Sequence, residues 1–548
     1  MGGVLASSII FLPLVLAIAL IVASPILVVV SGVWHDGAGE LWQHLLSTVF
    51  ADYVLNSLWL FLGVGAGVLG VGTAAAWLVT ACAFPGRRLW EWLLILPLAA
   101  PSYILAYVYT ELLEYYGPVQ TQGRQWFGWS SVNDYWFPPI RSLGGAIAMF
   151  VLVLYPYVYL LARTAFLEQS TCTLEASRSL GCTPWRSFFR VALPLARPNI
   201  IAGCALALME TLNDYGTVQF FGVDTFTVGI YRTWFGFDER PAAVKLAAIL
   251  TLGALLLIAL EQWSRRQAKF YQKGGRCRTL SRHRLGGWRG YGATIFCGLL
   301  VLLGFGVPVA ELLYLCFQNA VTNFGEDFWR LSWHSFSLAV LSALLGMVLA
   351  MVLAYGQRLS GTWGVALSVR IAAMGYAIPG AVIAVGIMQP LGYVDQVLGT
   401  ATGGQLLLSG SILALIFAYT VRFLAVSLGT VEASLTKIKP DLDEAARSLG
   451  HPIGSILIRI HAPLMTGGML SASLLLFVDV MKELPATIVM RPFNFETLAV
   501  RVYEYAADER LAEAAAPALA ILLVGMVPVI LLSWQLGRSR ATEVEKIS

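Results

Sequence analysis

The sequence predicts an all-α polytopic membrane protein made of two tandem six-helix repeats, about twelve transmembrane helices in all. Three observations carry that expectation. Of the 548 residues 58% are hydrophobic and only 12% charged, against about 25% charged in ordinary soluble domains. Mean hydropathy is +0.72, too high for the apolar side chains to be hidden in a water-soluble core. Finally, one polar passage occurs twice, 269 residues apart: Glu175-Ala176-Ser177-Arg178-Ser179-Leu180-Gly181 with Pro194, then Glu444-Ala445-Ala446-Arg447-Ser448-Leu449-Gly450 with Pro463. Both copies keep six residues from Glu to Gly and thirteen from Gly to Pro, a double spacing that unrelated loops seldom reproduce.

Stretches long enough to cross a bilayer, or nearly so, lie at about 8–32, 56–80, 92–110, 143–162, 199–219 and 242–260 in the first half. In the second they lie at about 293–310, 331–357, 371–394, 396–421, 464–481 and 514–537. The first stretch has no Lys or Arg before it and is longer than a signal-peptide core, so it reads as a retained span. Residues 1–262 form the first half, 263–290 a basic linker rich in Gly, Arg and Lys, and 291–548 the second half.

Positive charge sets the expected orientation. The linker carries Arg265, Arg266, Lys269, Lys273, Arg276, Arg278, Arg282, Arg284 and Arg289 with no acid among them, which assigns it to the cytoplasm. Arg87, Arg88, Arg358, Arg538 and Arg540 then fall on the same side, and both termini and both Glu-Ala loops are expected inside. Seven scattered cysteines without a Cys-x-x-Cys pair indicate neither a disulfide framework nor a zinc site. The net charge of +4 sits mostly in the linker and calls for no nucleic acid.

The duplication reaches most of the chain. Asn56-Ser57 meets His334-Ser335 and Pro101 meets Pro379 at a shift of 278, whereas Thr227 meets Thr497 at 270, as Asp238-Glu239-Arg240 meets Asp508-Glu509-Arg510. Each half has an even number of spans, so the copies are parallel, related by an axis along the membrane normal. Within the loops at about 168–198 and 432–465, Glu175–Leu180 and Glu444–Leu449 can each form a short helix closed by Gly181 or Gly450 and stopped by Pro184 or Pro452. So short a helix is marginal alone and gains from a partner surface. The plain reading of one copy is a capped surface turn; its repetition at identical spacing favours docking.

These loops resemble those of the permease subunits of binding-protein-dependent ABC importers. The second copy, Glu444-Ala445-Ala446 with Gly450 and Ala462-Pro463, matches well, and the first, Glu175-Ala176-Ser177 with Gly181 and Leu193-Pro194, has Ser for the second Ala. The resemblance implies the type I importer transmembrane fold and a place in a bacterial inner membrane. It also implies two ATPase copies docking on these loops from inside and a periplasmic solute-binding protein delivering substrate from outside. No Gly-x-x-x-x-Gly-Lys-Ser/Thr stretch occurs, so ATP and Mg are expected on a separate ATPase and no cofactor or catalytic residue is assigned to this chain.

Glu210 and Asp214 lie one turn apart near mid-depth of the fifth span, and Asp479 and Glu483 match them at the 269 shift. Each pair is expected on one helix face. Ionisable groups at that depth face a water-filled path or a partner charge. These acids, with Lys482, are the candidates for the translocation pathway; the other reading pairs them structurally with Lys482, Arg491 or Arg232. No metal site is assigned firmly. The passage from Asp479 through Lys482-Glu483-Leu484-Pro485-Ala486-Thr487 to Arg491-Pro492-Phe493-Asn494-Phe495-Glu496-Thr497-Leu498 resembles the ferric-iron branch of these permeases, as does Glu210–Thr217. The resemblance implies ferric-iron import by alternating access, with fused permeases for thiamine or phosphonates as alternatives of the same architecture.

Two readings from other classes compete. A proton-coupled secondary transporter has no use for paired Glu-Ala helices, and an intramembrane transferase or hydrolase needs a His, Ser or Cys constellation that the spans lack. Trp126, Trp129, Tyr135 and Trp136 read as an interfacial aromatic belt, His451 and His461 as loop residues, and Gly63, Gly65, Gly67, Gly70 and Gly72 as close-packing positions.

Overall fold

The computed structural model describes residues 2–34, 39–168, 183–266, 283–319, 324–360, 362–402 and 408–545. The helices used below are, in the first half, α1 (Gly2–Ser31), α2 (Phe50–Ala81), α3 (Ser102–Leu113), α4 (Leu143–Glu168), α5 (Leu193–Asn213), α6 (Gly216–Phe220) and α7 (Arg240–Arg266). The second half contributes α8 (Trp288–Val301), α9 (Val307–Gln318), α10 (Glu326–Ser360), α11 (Gly380–Thr402) and α12 (Ile412–Leu435). After them come α13 (Asp441–Ser448), α14 (Thr466–Met481), α15 (Pro485–Met490), α16 (Leu498–Ala507) and α17 (Leu511–Glu545). Among the described residues β structure is confined to a parallel pairing of Cys82–Ala83 with His283–Arg284.

Ten helices are long and apolar enough to cross a membrane, and two sharply bent pairs raise the number to twelve if each is one span. The bends fall at residues 100–101, where Arg87–Ala99 meets Ser102–Phe127 at 92°, and at Met465, where Ile453–Leu464 meets Thr466–Met481 at 84°. The expected spans 371–394 and 396–421 are redrawn. Residues 373–377 form a tight turn before Pro379, α11 starts at Gly380, and the next helix starts only at Ile412. Ser411 sets that start by capping it, its Oγ accepting from the Ala414 amide at 3.2 Å. In the first half Ser142 does the same for Gly145 at 3.1 Å, at the 269 spacing of the repeated loops.

The chain divides into two compact units, which do not follow the sequence halves. Unit one comprises Met1–Thr48, Gly229–Leu252 and Phe324–Arg501; unit two comprises Val49–Val228, Gly253–Asn323 and Val502–Ser548. In unit one, α1 packs on second-half helices. A Cβ on Gly356 of α10 would strike Val15, and one on Gly386 of α11 would strike the Pro25 carbonyl. In unit two the reciprocal loan is seen, with Thr294 of α8 donating to the Pro85 carbonyl at 2.9 Å and Tyr109 donating to the Leu303 carbonyl at 2.6 Å. The first helices of each half thus complete the core built by the other half.

Small residues let the helices approach, as membrane packing requires. In unit two a Cβ at Gly63 would lie 2.5 Å from Ile147 of α4, Gly67 faces Val151, and Gly72 sits 2.8 Å from the Tyr155 carbonyl by the same measure. Gly65 faces Leu208, but Gly70 meets nothing within 4 Å, so the glycine stripe has four packing members rather than five.

The halves repeat their polar joints as well. Asn56 donates to the Asp224 carbonyl at 3.1 Å and Ser57 accepts from the Phe226 amide at 3.3 Å; His334 approaches the Glu496 carbonyl at 3.2 Å and Ser335 accepts from Leu498 at 2.8 Å. Gly222 and Asn494, at φ 67° and 62°, take the same left-handed turn. All of these set a shift of 272, so Thr225, not Thr227, is the partner of Thr497. The extra residues are absorbed after α6, where a short turn is replaced by Arg491–Asn494.

Candidate functional site: the second Glu-Ala turn and the breaks after the fifth helices

The second Glu-Ala loop forms α13, beginning at Asp441, three residues before Glu444. Three acids in its first turn, Asp441, Asp443 and Glu444, suit the positive end of the helix dipole. It ends in a Schellman motif: the Gly450 amide donates to the Arg447 carbonyl at 2.9 Å and the His451 amide to the Ala446 carbonyl at 3.1 Å, with Gly450 at φ 82°. Only a residue without a Cβ adopts that φ freely.

Glu444 and Ala445 are exposed while Ala446 and Asp443 face inward. Asp443 anchors the turn. Its Oδ1 lies 2.5 Å from His461 Nε2 and 3.1 Å from the Tyr355 hydroxyl, and its Oδ2 lies 2.7 Å from Arg358 Nη2. Burial works to raise the Asp443 carboxyl, but the hydrogen bond and charge of His461, followed by Arg358 and Tyr355, hold it below the usual range. His461 is therefore not a loop residue: it is fully buried in the π-helical turn Leu457–His461. Sequence reading missed Asp443, although an acid in the first turn of a helix is a recognisable signal.

Beside the turn is an open groove of about 570 Å³, bordered by Lys437, Lys439, Leu442, Ala445 and Leu464. Leu442, Leu449 and Leu464 are 45%, 79% and 59% exposed. A surface that combines exposed leucines, a small-residue face and the Glu444 carboxylate offers shape, apolar area and charge to a partner.

In the first copy Glu175, Ala176, Ser177 and Gly181 lie outside the described residues. Pro194 is described, and it opens α5 directly after the π-helical turn Phe188–Ala192. Pro463 follows the turn Leu457–His461 in the same way, 269 residues on. The halves differ next: α5 runs unbroken to Asn213, whereas the second copy bends at Met465.

The carboxylate pairs do not lie on continuous helix faces. α5 stops at Asn213 and α14 at Met481, so Asp214 and Glu483 fall in the breaks beyond. Each caps the short helix that follows. Asp214 accepts from the Thr217 amide at 2.8 Å, the Thr217 hydroxyl at 3.1 Å and Ser102 Oγ at 2.7 Å. Glu483 accepts from the Ala486 amide at 2.8 Å, the Thr487 amide at 3.1 Å and the Thr487 hydroxyl at 2.5 Å. Its counter-ion is Arg422 of α12, 2.5 Å away and buried. Lys482 approaches Asp479 instead, at 3.5 Å, and Arg491 and Arg501 approach Glu496. Glu210 stays on α5, half-buried.

The exchange between halves is compensated. Ser102, Val153 and Asp214 stand where the second half has Gly380, Arg422 and Glu483. A Cβ on Gly380 would lie 2.7 Å from Arg422 Nη1 and 2.9 Å from Glu483 Oε1, so the glycine makes room for the guanidinium. Arg422 was legible as a lone cation in an apolar stretch but was not singled out. A second buried pair, Arg163 with Glu91 in unit two, was likewise missed.

Residues 66–269 match the family described as binding-protein-dependent transport system inner membrane component. The chain is 25% identical over 527 residues to the Fe(3+)-transport system permease protein FbpB 2 of Haemophilus influenzae, covering 95% of this chain and 97% of that one. It is 30% identical over 207 residues to the molybdenum transport system permease protein ModB of Haemophilus influenzae, covering 36% of this chain and 86% of the relative. It is 27% identical over 254 residues to the sulfate transport system permease protein CysT of Escherichia coli, covering 44% and 86%. The shorter relatives match less than half of this chain, as a duplicated protein requires. With ten to twelve candidate membrane spans among the described residues and the type I ABC importer transmembrane fold, the chain belongs to the family of binding-protein-dependent transport system inner membrane components.

Proposed function

We propose that this chain is both permease halves of an ATP-driven importer that carries ferric iron from the periplasm to the cytoplasm. The observation that carries the reading is end-to-end similarity, through both halves, to a permease named for Fe(3+) transport. Two ATPase copies dock from the cytoplasm, one on each Glu-Ala turn, and a periplasmic binding protein delivers the ion. Glu175, Ala176, Ser177, Gly181 and Pro194 form one docking element, and Glu444, Ala445, Ala446, Gly450 and Pro463 the other. Asp443, fastened to Arg358 and His461, makes the second turn a rigid lever. Movement of the ATPase is passed to the adjoining helices instead of being lost in a flexible loop, and the halves alternate between inward and outward access.

The charge in unit two supports a cation as cargo. Glu111, Glu114 and Glu509 border one pocket there with Arg141 as the basic residue among them, a setting that repels an anion such as the sulfate of the shorter relative. Asp214 and Glu483 are already engaged as helix caps, so their role is to position the breaks in the fifth spans.

Proteoliposomes holding this chain test the reading. With its ATPase, a ferric-loaded binding protein and ATP they should accumulate radioiron; without ATP or without the ATPase they should not. Accumulation driven by a proton gradient alone, or of thiamine or a phosphonate in place of iron, would overturn it.

A further inference from the structure

Unit two brings two distant pieces of chain together at one end of α8. Cys82–Ala83 pairs in parallel with His283–Arg284, and the Leu285 amide donates to the Ala83 carbonyl at 3.0 Å. α8 then runs alongside the segment from Pro85 to Trp90: a Cβ on Gly290 would lie 3.4 Å from Pro85 Cδ, and one on Gly298 would lie 3.4 Å from the Trp90 ring. This joint fixes Arg284 and Arg289 at the same edge of the unit as Arg88, the second residue of the short helix Arg87–Leu93. All three arginines are exposed.

The charge at this edge is uncompensated. Arg87 is engaged within the unit, its Nη1 donating to the Val79 carbonyl at 2.9 Å and to Glu91 at 3.1 Å. Glu91 is buried and also meets Arg163, so the nearest acid in sequence is already neutralised. Residues 82–90 and 283–310 contain no Asp or Glu. Among the described residues none of Arg88, Arg284 and Arg289 is in an ion pair. Arg289 lies with its guanidinium 5.8 Å from the Trp288 ring centroid, which joins the basic edge to an aromatic one.

α8 has two faces. Gly290, Ala293, Cys297 and Leu300 are buried, whereas Trp288, Tyr291, Ile295 and Leu299 are 80%, 65%, 60% and 49% exposed. The exposed four recur every three or four residues and form one stripe, which in a membrane span lies against acyl chains. The stripe starts where the arginines are, and loop charge assigns that end of α8 to the cytoplasm. The fold does not need these charges. At the register set by Pro101 and Pro379, Arg88 stands where the second half has Ala366, and the matching helix Trp363–Ala372 forms without it. α1, which opens the first half as α8 opens the second, has no Lys or Arg.

We infer that this edge is a binding site for an anionic phospholipid of the cytoplasmic leaflet. The lipid phosphate accepts charge-assisted hydrogen bonds from Arg88, Arg284 and Arg289, and an acyl chain follows the exposed stripe of α8. Trp288 stands at headgroup level, where an indole is suited to the boundary between water and hydrocarbon. Two properties select a lipid among anions: three positive charges, and continuity of the patch with the surface that α8 presents to the bilayer. A soluble anion uses the arginines alone. Once bound, the lipid fastens the start of the second half to the turn after α2 from the membrane side.

The test titrates the full chain in detergent with dioleoyl phosphatidylglycerol or dioleoyl phosphatidylcholine, counting bound lipid by native mass spectrometry. The parent should hold phosphatidylglycerol far more tightly than phosphatidylcholine. Arg88→Gln, Arg284→Gln and Arg289→Gln together should weaken phosphatidylglycerol binding about a hundredfold, at about fivefold for each charge near the membrane surface, and leave phosphatidylcholine binding unchanged. The three changes to Lys should restore most of the preference. Lys437→Gln with Lys439→Gln, which removes exposed positive charge elsewhere, should leave it as in the parent. In phosphatidylcholine nanodiscs the parent and the triple Gln variant should melt together, and in phosphatidylglycerol only the parent should melt higher, which separates a ligand site from damage to the fold. Equal affinity of the parent for the two lipids, a triple Gln variant that keeps the preference, or an equal loss in the Lys437 and Lys439 control would overturn the proposal. So would a triple Gln variant whose sole defect is lost co-purification of the ATPase, since the patch would then belong to that protein.

Discussion

Asp443 Oδ1 and His461 Nε2 lie 2.5 Å apart across eighteen residues of chain, joining the second Glu-Ala turn to the π-helical turn that leads into the fifth span of its half. This contact makes the Glu-Ala element part of the membrane domain rather than a tethered peptide. Removing the carboxylate leaves Arg358 and His461 facing each other without it. Asp443→Ala should destabilise the chain by about 3 kcal/mol, toward the lower end for breaking a buried pair, and loosen the turn. Thermal unfolding in detergent and co-purification of the ATPase check this. The Asp443 carboxyl is held below its ordinary range, so its stabilisation is complete above the unfolded value of about 4 and is lost only as pH falls through the depressed folded value. Titration of ATPase association from pH 8 to 5 should show no loss from this group.

Gly450 is the second sensitive point of the same turn. At φ 82° a β-branched side chain is strained by about 1–2 kcal/mol, and the two amide bonds that end α13 are lost with the turn. Gly450→Val should abolish ATPase association and transport while membrane insertion persists. Equal ATPase recovery on an affinity column would refute that role.

The Gly380, Arg422, Glu483 trio predicts strong non-additivity. Arg422→Val alone should cost about 3–5 kcal/mol, because it strands a buried carboxylate. The triple change Gly380→Ser, Arg422→Val, Glu483→Asp reproduces the Ser102, Val153, Asp214 arrangement and should recover most of the loss. Melting temperatures of the single and triple variants, compared in a mutant cycle, measure the coupling.

Along the glycine stripe of α2 the two ends should behave oppositely. Gly72→Ala sets a methyl 2.8 Å from the Tyr155 carbonyl and should destabilise by about 1–3 kcal/mol through overpacking. Gly70→Ala meets nothing within 4 Å and should stabilise by about 0.5–1 kcal/mol through helix propensity. Matching melting temperatures for the two variants would contradict the packing description.

Spans, repeats and the short helix of the second Glu-Ala loop were legible because each rests on local pattern: apolar length, turn glycines and repeated spacing. Acids matched at the 269 shift found Glu483 but not its partner. Arg422 pairs across 61 residues, and its duplicate is a valine, so the comparison of halves hid the ion. His461 was misread because the side chain that buries it comes from the turn eighteen residues earlier. Thr227 was aligned by identity, whereas backbone geometry at Gly222 and Asn494 sets the true register.

The exchange of first helices has a consequence for biosynthesis. When α1 leaves the ribosome, Gly356 and Gly386, against which it will pack, are still more than three hundred residues from being translated. Unit two, in turn, waits for its last strip of chain, which begins at Val502. Neither bundle can close while the nascent polypeptide is short, so α1 must remain parked in lipid or with an insertion chaperone. Severing the gene between α7 and α8 would therefore yield two fragments that mature only together.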